Sequence, residues 1–253
     1  MNPTRRRAQA RKSVFICLVV GALLLGAVKA QTAPVDVGLV TKLSGEATYW
    51  NRDEQKEPAR AQAFMKVRQG DHFKLPAESL VQLVYFDNGR QETWKGPVTF
   101  IAGPGESRAE GEKSPQSQPE VKILPTKVTK KMMAPGMPLP RSGLRYSGVI
   151  QTMAPECKTS TPAATCVKPL DAQGRKELKE AQKVYQGLRQ QTEAGDLTPE
   201  FYLLSVLADY GQYPQMLALI DTMLTQKPGD PALKDLKTWV RSQPAPPGGP
   251  VSR

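Results

Sequence analysis

The chain has 253 residues, 39% of them hydrophobic, with 23 Pro and 20 Gly unevenly spread, which points to modules joined by irregular linkers and against one uninterrupted fold. Its formal net charge of +11 is concentrated at one end, because residues 1–30 hold six of the 35 Lys+Arg and none of the 24 Asp+Glu. The remainder carries 29 basic against 24 acidic residues, a dispersed +5 without an interleaved aromatic stripe, and nucleic-acid binding is excluded on that ground.

The first 30 residues read as an export signal. Arg5, Arg6, Arg7, Arg11 and Lys12 form a basic segment, Val14 to Val28 is an apolar run, and Val28-Lys29-Ala30 offers small residues for cleavage after Ala30. A retained inner-membrane anchor is the alternative, although 15 apolar residues fall short of the roughly 20 that span hydrocarbon. Such an anchor would be the chain's one contact with a membrane.

Residues 35–103 have the signature of a small all-β domain. Val37 to Trp50 is β-rich and partly alternating, with a break at Gly45, and residues 51–60 are polar and turn-like. Phe64, Met65 and Val67 lead into a turn at Gln69-Gly70-Asp71, then His72 to Pro76. The clearest hairpin spans residues 79–101: Val81, Leu83 and Tyr85 share one strand face, Asp87-Asn88-Gly89 makes the turn, and Glu92 and Trp94 return. Short strands with turn signals every ten or so residues predict a sandwich or rolled sheet.

Residues 104–169 read as a Pro-rich linker with short strands and a disulfide loop. Residues 104–119 have little to bury, Val121 to Leu124 and Leu144 to Ile150 are short strand candidates, and Met132, Met133 and Met137 are soft gap-fillers or a contact surface. Cys157 and Cys166, with eight residues between them in an exported chain, are expected to form a disulfide; with His72 as the single histidine, a metal site is the weaker reading.

From residue 170 to 243 the period becomes helical. Leu178, Ala181, Val184, Tyr185 and Leu188 recur at three- and four-residue steps; Thr198-Pro199-Glu200 starts a second helix that runs to Gly211. A third spans residues 214–226, a fourth residues 231–242, and residues 244–253 form a disordered tail.

Two resemblances follow from these motifs. Val40-x-x-Leu43-x-Gly45-x-Ala47, Val67-x-x-Gly70-Asp71-x-Phe73, Ser79-x-Val81-x-Leu83-x-Tyr85-x-Asp87-x-Gly89 and Gly96-Pro97-x-Thr99-Phe100 resemble, in order and spacing, the periplasmic FecR domain. The resemblance implies a small β domain used for signal relay or interaction and without catalytic residues. Residues 199–228 are similar to a tetratricopeptide repeat, with Gly211-Gln212-Tyr213 at its inner turn and Pro228 at its close. Ala181, Tyr185 and Leu188 precede Met216, Ile220 and Met223 by a constant 35, an echo of an earlier repeat.

The expected fold is therefore multidomain, β then α, and the expected function a non-enzymatic scaffold or sensory accessory protein of the bacterial envelope, in the periplasm, binding another envelope protein. Tyr85, Trp94, Tyr202, Tyr210 and Tyr213 are the candidate partner contacts, on the expectation that they are exposed. A glycan- or peptidoglycan-binding protein that stacks sugars on Trp50 and Trp94 is the alternative. Catalysis is not expected: there is one histidine, no Gly-x-Ser-x-Gly elbow, no phosphate loop and no metal-ligand cluster, so no cofactor is implied.

Overall fold

A computed structural model describes residues 35–51, 55–111, 118–132 and 170–243. The export signal, Cys157 and Cys166, Met133 and Met137, the strand candidate at 144–150 and the tail lie outside the described residues.

The order is β first, then α. Among the described residues ten strands, β1 (Asp36–Ser44), β2 (Thr48–Asn51), β3 (Gln55–Arg60), β4 (Lys66–Arg68), β5 (Asp71–Leu75), β6 (Leu80–Tyr85), β7 (Arg90–Lys95), β8 (Val98–Ala102), β9 (Ser107–Glu110) and β10 (Glu120–Ile123), precede five helices. The helices are α1 (Thr126–Met132), α2 (Ala172–Gln191), α3 (Thr198–Asp209), α4 (Tyr213–Gln226) and α5 (Pro231–Ser242). The strands form two antiparallel five-stranded sheets: sheet A in the order β10-β7-β6-β1-β4, sheet B in the order β3-β2-β5-β8-β9.

Alternation decides which side chains the sheets bury. Val40, Val81, Leu83, Tyr85 and Trp94 of sheet A meet Tyr49, Phe73 and Phe100 of sheet B in one core. Phe100 stacks between Phe73 and Trp94, with ring centroids 5.1 Å and 4.5 Å away. The opposite face of sheet A carries Leu39 and Val84, with Phe86 just beyond β6, and this face packs into a second core with all five helices. The molecule is thus layered as helices, sheet A and sheet B.

Helix α3 is the hinge of that layering. Every residue from Thr198 to Leu207 is buried, because sheet A lies on one side and α1, α2 and α4 pack around the others. Phe201 meets Phe64 of the β region with ring centroids 4.6 Å apart. Polar groups fix the seating: Gln91 Nε2 donates to Asp196 Oδ2 (3.2 Å) and Thr198 Oγ1 (3.1 Å), and Thr129 Oγ1 donates to the Phe86 carbonyl (2.8 Å). Arg189 closes the end of α2, donating to the carbonyls of Thr192, Glu193 and Asp196 and to the Glu200 carboxylate.

Helices α2 and α5 begin on side-chain caps. Asp171 accepts from Gly174 N–H at 2.7 Å and Asp230 from Leu233 N–H at 3.1 Å. Pro residues stand in the first turns of α3, α4 and α5, where a missing N–H costs nothing.

Three stretches depart from the sequence reading. Residues 51–60, expected as a turn, include β3, an edge strand that needs no apolar alternation because only one neighbour pairs with it. The stretch expected as linker, 104–119, contains β9, paired to β8 through Phe100↔Ala109 and Ile101↔Arg108. The following segment forms β10, where a short strand was expected at Val121 to Leu124, and then the unexpected α1, so both sheets and the helix layer extend past residue 103; Met132 is buried in α1 against that layer. The β and α regions share a core, and all described residues fall within one unit, residues 35–253.

Candidate binding surfaces

The residues expected to be exposed partner contacts are mostly interior. Tyr85 and Trp94 are each 1% exposed, Tyr202 8% and Tyr210 4%; Tyr213 is half-buried and its ring meets Trp239 edge-on, 6.4 Å between centroids. The reason is the three-layer packing. Tyr85 and Trp94 point between the sheets, Tyr202 lies in α3, which is buried on every side, and Tyr210, just past its end, donates to the Glu177 carboxylate of α2. A sequence signal for this existed: Phe201-Tyr202-Leu203-Leu204-Ser205-Val206-Leu207 is apolar all round, the mark of a helix buried on every side.

Two of these phenols are raised well above their ordinary value by their surroundings. Burial pushes the Tyr85 hydroxyl well above its ordinary range, while the hydroxyl pairs with Ser107 Oγ at 2.7 Å. Tyr210 is pushed up to about 12, first by burial and then by its hydrogen bond to the Glu177 carboxylate.

Beside Tyr85 lies a buried carboxylate network that the sequence does not announce. Glu92 is fully buried and accepts from Arg90 Nε (2.5 Å), Trp94 Nε1 (3.1 Å) and the Ser107 backbone N–H (3.2 Å to either oxygen). These contacts place β9 over β7 and complete the charge pairing that a buried carboxylate requires. Glu92 itself is sealed between the sheets, while Arg90, 27% exposed, carries the network to the surface at the end of β7.

Among the described residues three surfaces remain open. The first is the edge of sheet A at β10, where Val121 and Ile123 are 39% and 69% exposed. The second is the outer face of sheet B, which no described element covers. Trp50 stacks there on His72, with centroids 5.0 Å apart and rings 14° from parallel, and His72 Nδ1 lies 3.1 Å from Glu110 Oε2. Sequence reasoning had singled out Trp50 and His72 separately; register brings them together, because Trp50 pairs with His72 across β2 and β5. The third is a shallow groove of about 670 Å³ between the ends of α2 and α4, lined by Arg189, Thr192, Ala194, Gly195, Gln226 and Lys227. Burial lowers the Lys227 ammonium from its ordinary value, and Arg189 there is occupied by backbone carbonyls.

No set of three or more His, Cys, Asp or Glu among the described residues is arranged to hold a metal, and no described helix is long and apolar enough to cross a membrane. The fold therefore defines the class so far: a β sandwich whose one outer face is roofed by helices. Compared with protein-family models, with curated proteins and with solved structures, the chain finds no match in any of the three.

Proposed function

We propose that this is a non-enzymatic interaction protein of the bacterial envelope, exported to the periplasm, which holds a partner protein along the free edge of sheet A. The observation that carries this reading is β10. Leu124 N–H donates to the Gly89 carbonyl at 2.8 Å, so in the antiparallel register Lys122↔Gln91 and Glu120↔Thr93 are the hydrogen-bonded pairs with β7. The alternate residues, Val121 and Ile123, direct their N–H and C=O groups away from the sheet. Their apolar side chains stand exposed on one face of the same strand. Backbone groups for pairing plus two apolar anchors are what an added strand needs.

Two features support the family likenesses behind this reading. The FecR-like motifs lie along the strands and turns of both sheets, and α3 and α4 form a helical pair turning at Gly211 and ending before Pro228, as a tetratricopeptide-like hairpin would. The helical pair is not proposed as the docking face, since its inner helix α3 already lies against sheet A.

The test is a photocrosslinking residue in place of Ile123, compared with one in place of exposed Val184 on α2, in the intact envelope. A discrete adduct is expected from position 123 and none from 184. Val121→Pro should abolish it, because proline removes an outward N–H while leaving the bonds to β7 intact. Equal adducts from both positions, or an adduct indifferent to Val121→Pro, would refute the edge. Mass measurement of the mature chain, expected to begin at Gln31, tests export.

A further inference from the structure

Sheet B's outer face is a second surface, on the far side of the sandwich from the helices, and its residues can be placed by register. One row across the strands reads Arg60, Thr48, Lys74, Thr99, Glu110; the adjacent row reads Trp50, His72, Ile101, Arg108. Tyr49, Phe73, Phe100 and Ala109 alternate with them and point into the core. On this outer face Trp50 and Ile101 are half-buried and the imidazole between them is 4% exposed, so the row packs an apolar strip that an idle, fully polar sheet face does not carry.

The charges in these two rows are sparse, three cations against one carboxylate. Arg60, Lys74 and Arg108 are exposed cations, and Arg60 makes an ion pair of 3.8 Å with the equally exposed Glu46. Lys74 and Arg108 make no ion pair or hydrogen bond among the described residues. Glu110, the one carboxylate in the two rows, is turned to His72. The three cations stand on β3, β5 and β9, and each step crosses two inter-strand spacings, about 10 Å.

We propose that this face binds an acidic polysaccharide bearing one carboxylate on every second ring, laid across the strands with a sugar stacked at Trp50 and its carboxylates at Lys74 and Arg108. The spacing selects the ligand class. Duplex nucleic acid offers a charge for about every 1.7 Å of its axis, far denser than one cation per ~10 Å, whereas an extended glycan charged on alternate rings presents its carboxylates at a comparable interval. Trp50 supplies the flat apolar platform that a sugar ring uses, and His72, stacked behind it and tied to Glu110, holds the indole upright.

The experiment is titration calorimetry on the chain without its first 30 residues, with three probes: hyaluronan oligosaccharides, which carry a carboxylate on alternate rings, uncharged chitin oligosaccharides of equal length, and single-stranded oligothymidine. Hyaluronan is expected to bind at least about tenfold more tightly than the uncharged chain. Trp50→Ala should weaken it about tenfold; Lys74→Gln and Arg108→Gln should each cost about three- to fivefold, the size of an exposed ion pair. Lys183→Gln, an exposed cation on α2, is the control and should change nothing. Because Lys74 and Arg108 are exposed, their variants fold even if Trp50→Ala does not. Preference for oligothymidine, equal binding of the neutral chain, or indifference to both Lys74→Gln and Arg108→Gln overturns the proposal. None of these outcomes bears on crosslinking at Ile123, which is on sheet A.

Discussion

Replacing Phe201 by alanine tests whether sandwich and helices are one cooperative unit. The ring is fully buried, meets the equally buried Phe64 at 4.6 Å, and sits on the helix that both sheet A and the other helices pack against. Truncating a buried phenylalanine costs about 3–5 kcal/mol, the upper end where the surroundings cannot collapse, and an α3 hemmed in on all sides has little room to move. With a urea slope of about 2 kcal/mol per molar, a loss of about 4 kcal/mol lowers the unfolding midpoint by about 2 M. Two reporters are built in: Trp94 lies between the sheets and Trp239 in α5. Single-tryptophan versions, followed by fluorescence alongside far-ultraviolet circular dichroism, should show both midpoints falling together in Phe201→Ala. The aromatic pair should also appear as a coupling of about 0.5–1.5 kcal/mol in a double-mutant cycle with Phe64→Leu. If the Trp239 midpoint drops while that of Trp94 stays in place, the two regions are independent domains and the shared-core argument is wrong.

Three further outcomes follow from other sites. Glu92→Leu should cost about 3–5 kcal/mol, since it strands the Trp94 Nε1–H and Ser107 N–H between the sheets and unpairs Arg90, whereas Glu92→Gln keeps an acceptor and should cost much less; a stabilised leucine variant would contradict this. Gly89→Ala should destabilise by more than 1 kcal/mol and speed hydrogen exchange at Leu124, because φ is +73° and a methyl would meet the Leu124 carbonyl oxygen at 2.2 Å; unchanged exchange there would refute it. Phenols of Tyr85, Tyr185, Tyr202, Tyr210 and Tyr213 all titrate above their ordinary value, so the stability they contribute is whole below about pH 10 and is lost as pH rises through the folded values. Unfolding midpoints should therefore fall above pH 10, with phenolate absorbance appearing in step with unfolding rather than ahead of it.

The sequence disclosed elements better than it disclosed their faces. All four C-terminal helices and the β6–β7 hairpin are legible because apolar period and turn residues are local properties: Asp230 and Pro231 mark a helix start wherever it packs, and Gly89 marks the turn. What escaped was edge and context. Strands β3 and β9 are polar because each borders its sheet, and nothing in Gln55–Arg60 or Ser107–Glu110 alternates strongly enough to separate strand from linker. Tyrosines read as exposed proved buried because a helix's outer side is decided by whatever comes to rest on it. The Trp50–His72 contact was equally invisible, since it depends on the pairing of β2 with β5, 22 residues apart in the chain.

The same packing explains why the sheet-facing side of α3 is closed to a partner. Gln91 reaches from β7 to Asp196 and Thr198, and Lys42 of β1 reaches Glu193 at 3.0 Å, so the loop entering α3 is tied to sheet A at two strands. The Lys42–Glu193 pair is partly open to solvent and contributes little, whereas the buried glutamine amide would be left unsatisfied if α3 lifted, at a cost of about 1–3 kcal/mol. To that is added re-exposure of Leu39, Val84 and Phe86 along with α3 itself, at roughly 1.5–3 kcal/mol for each large side chain. A partner competing for the α3 face would have to replace all of these contacts at once. The β10 edge and the outer face of sheet B require no such displacement, which is the energetic ground for proposing binding there and not on the sheet-facing side of α3.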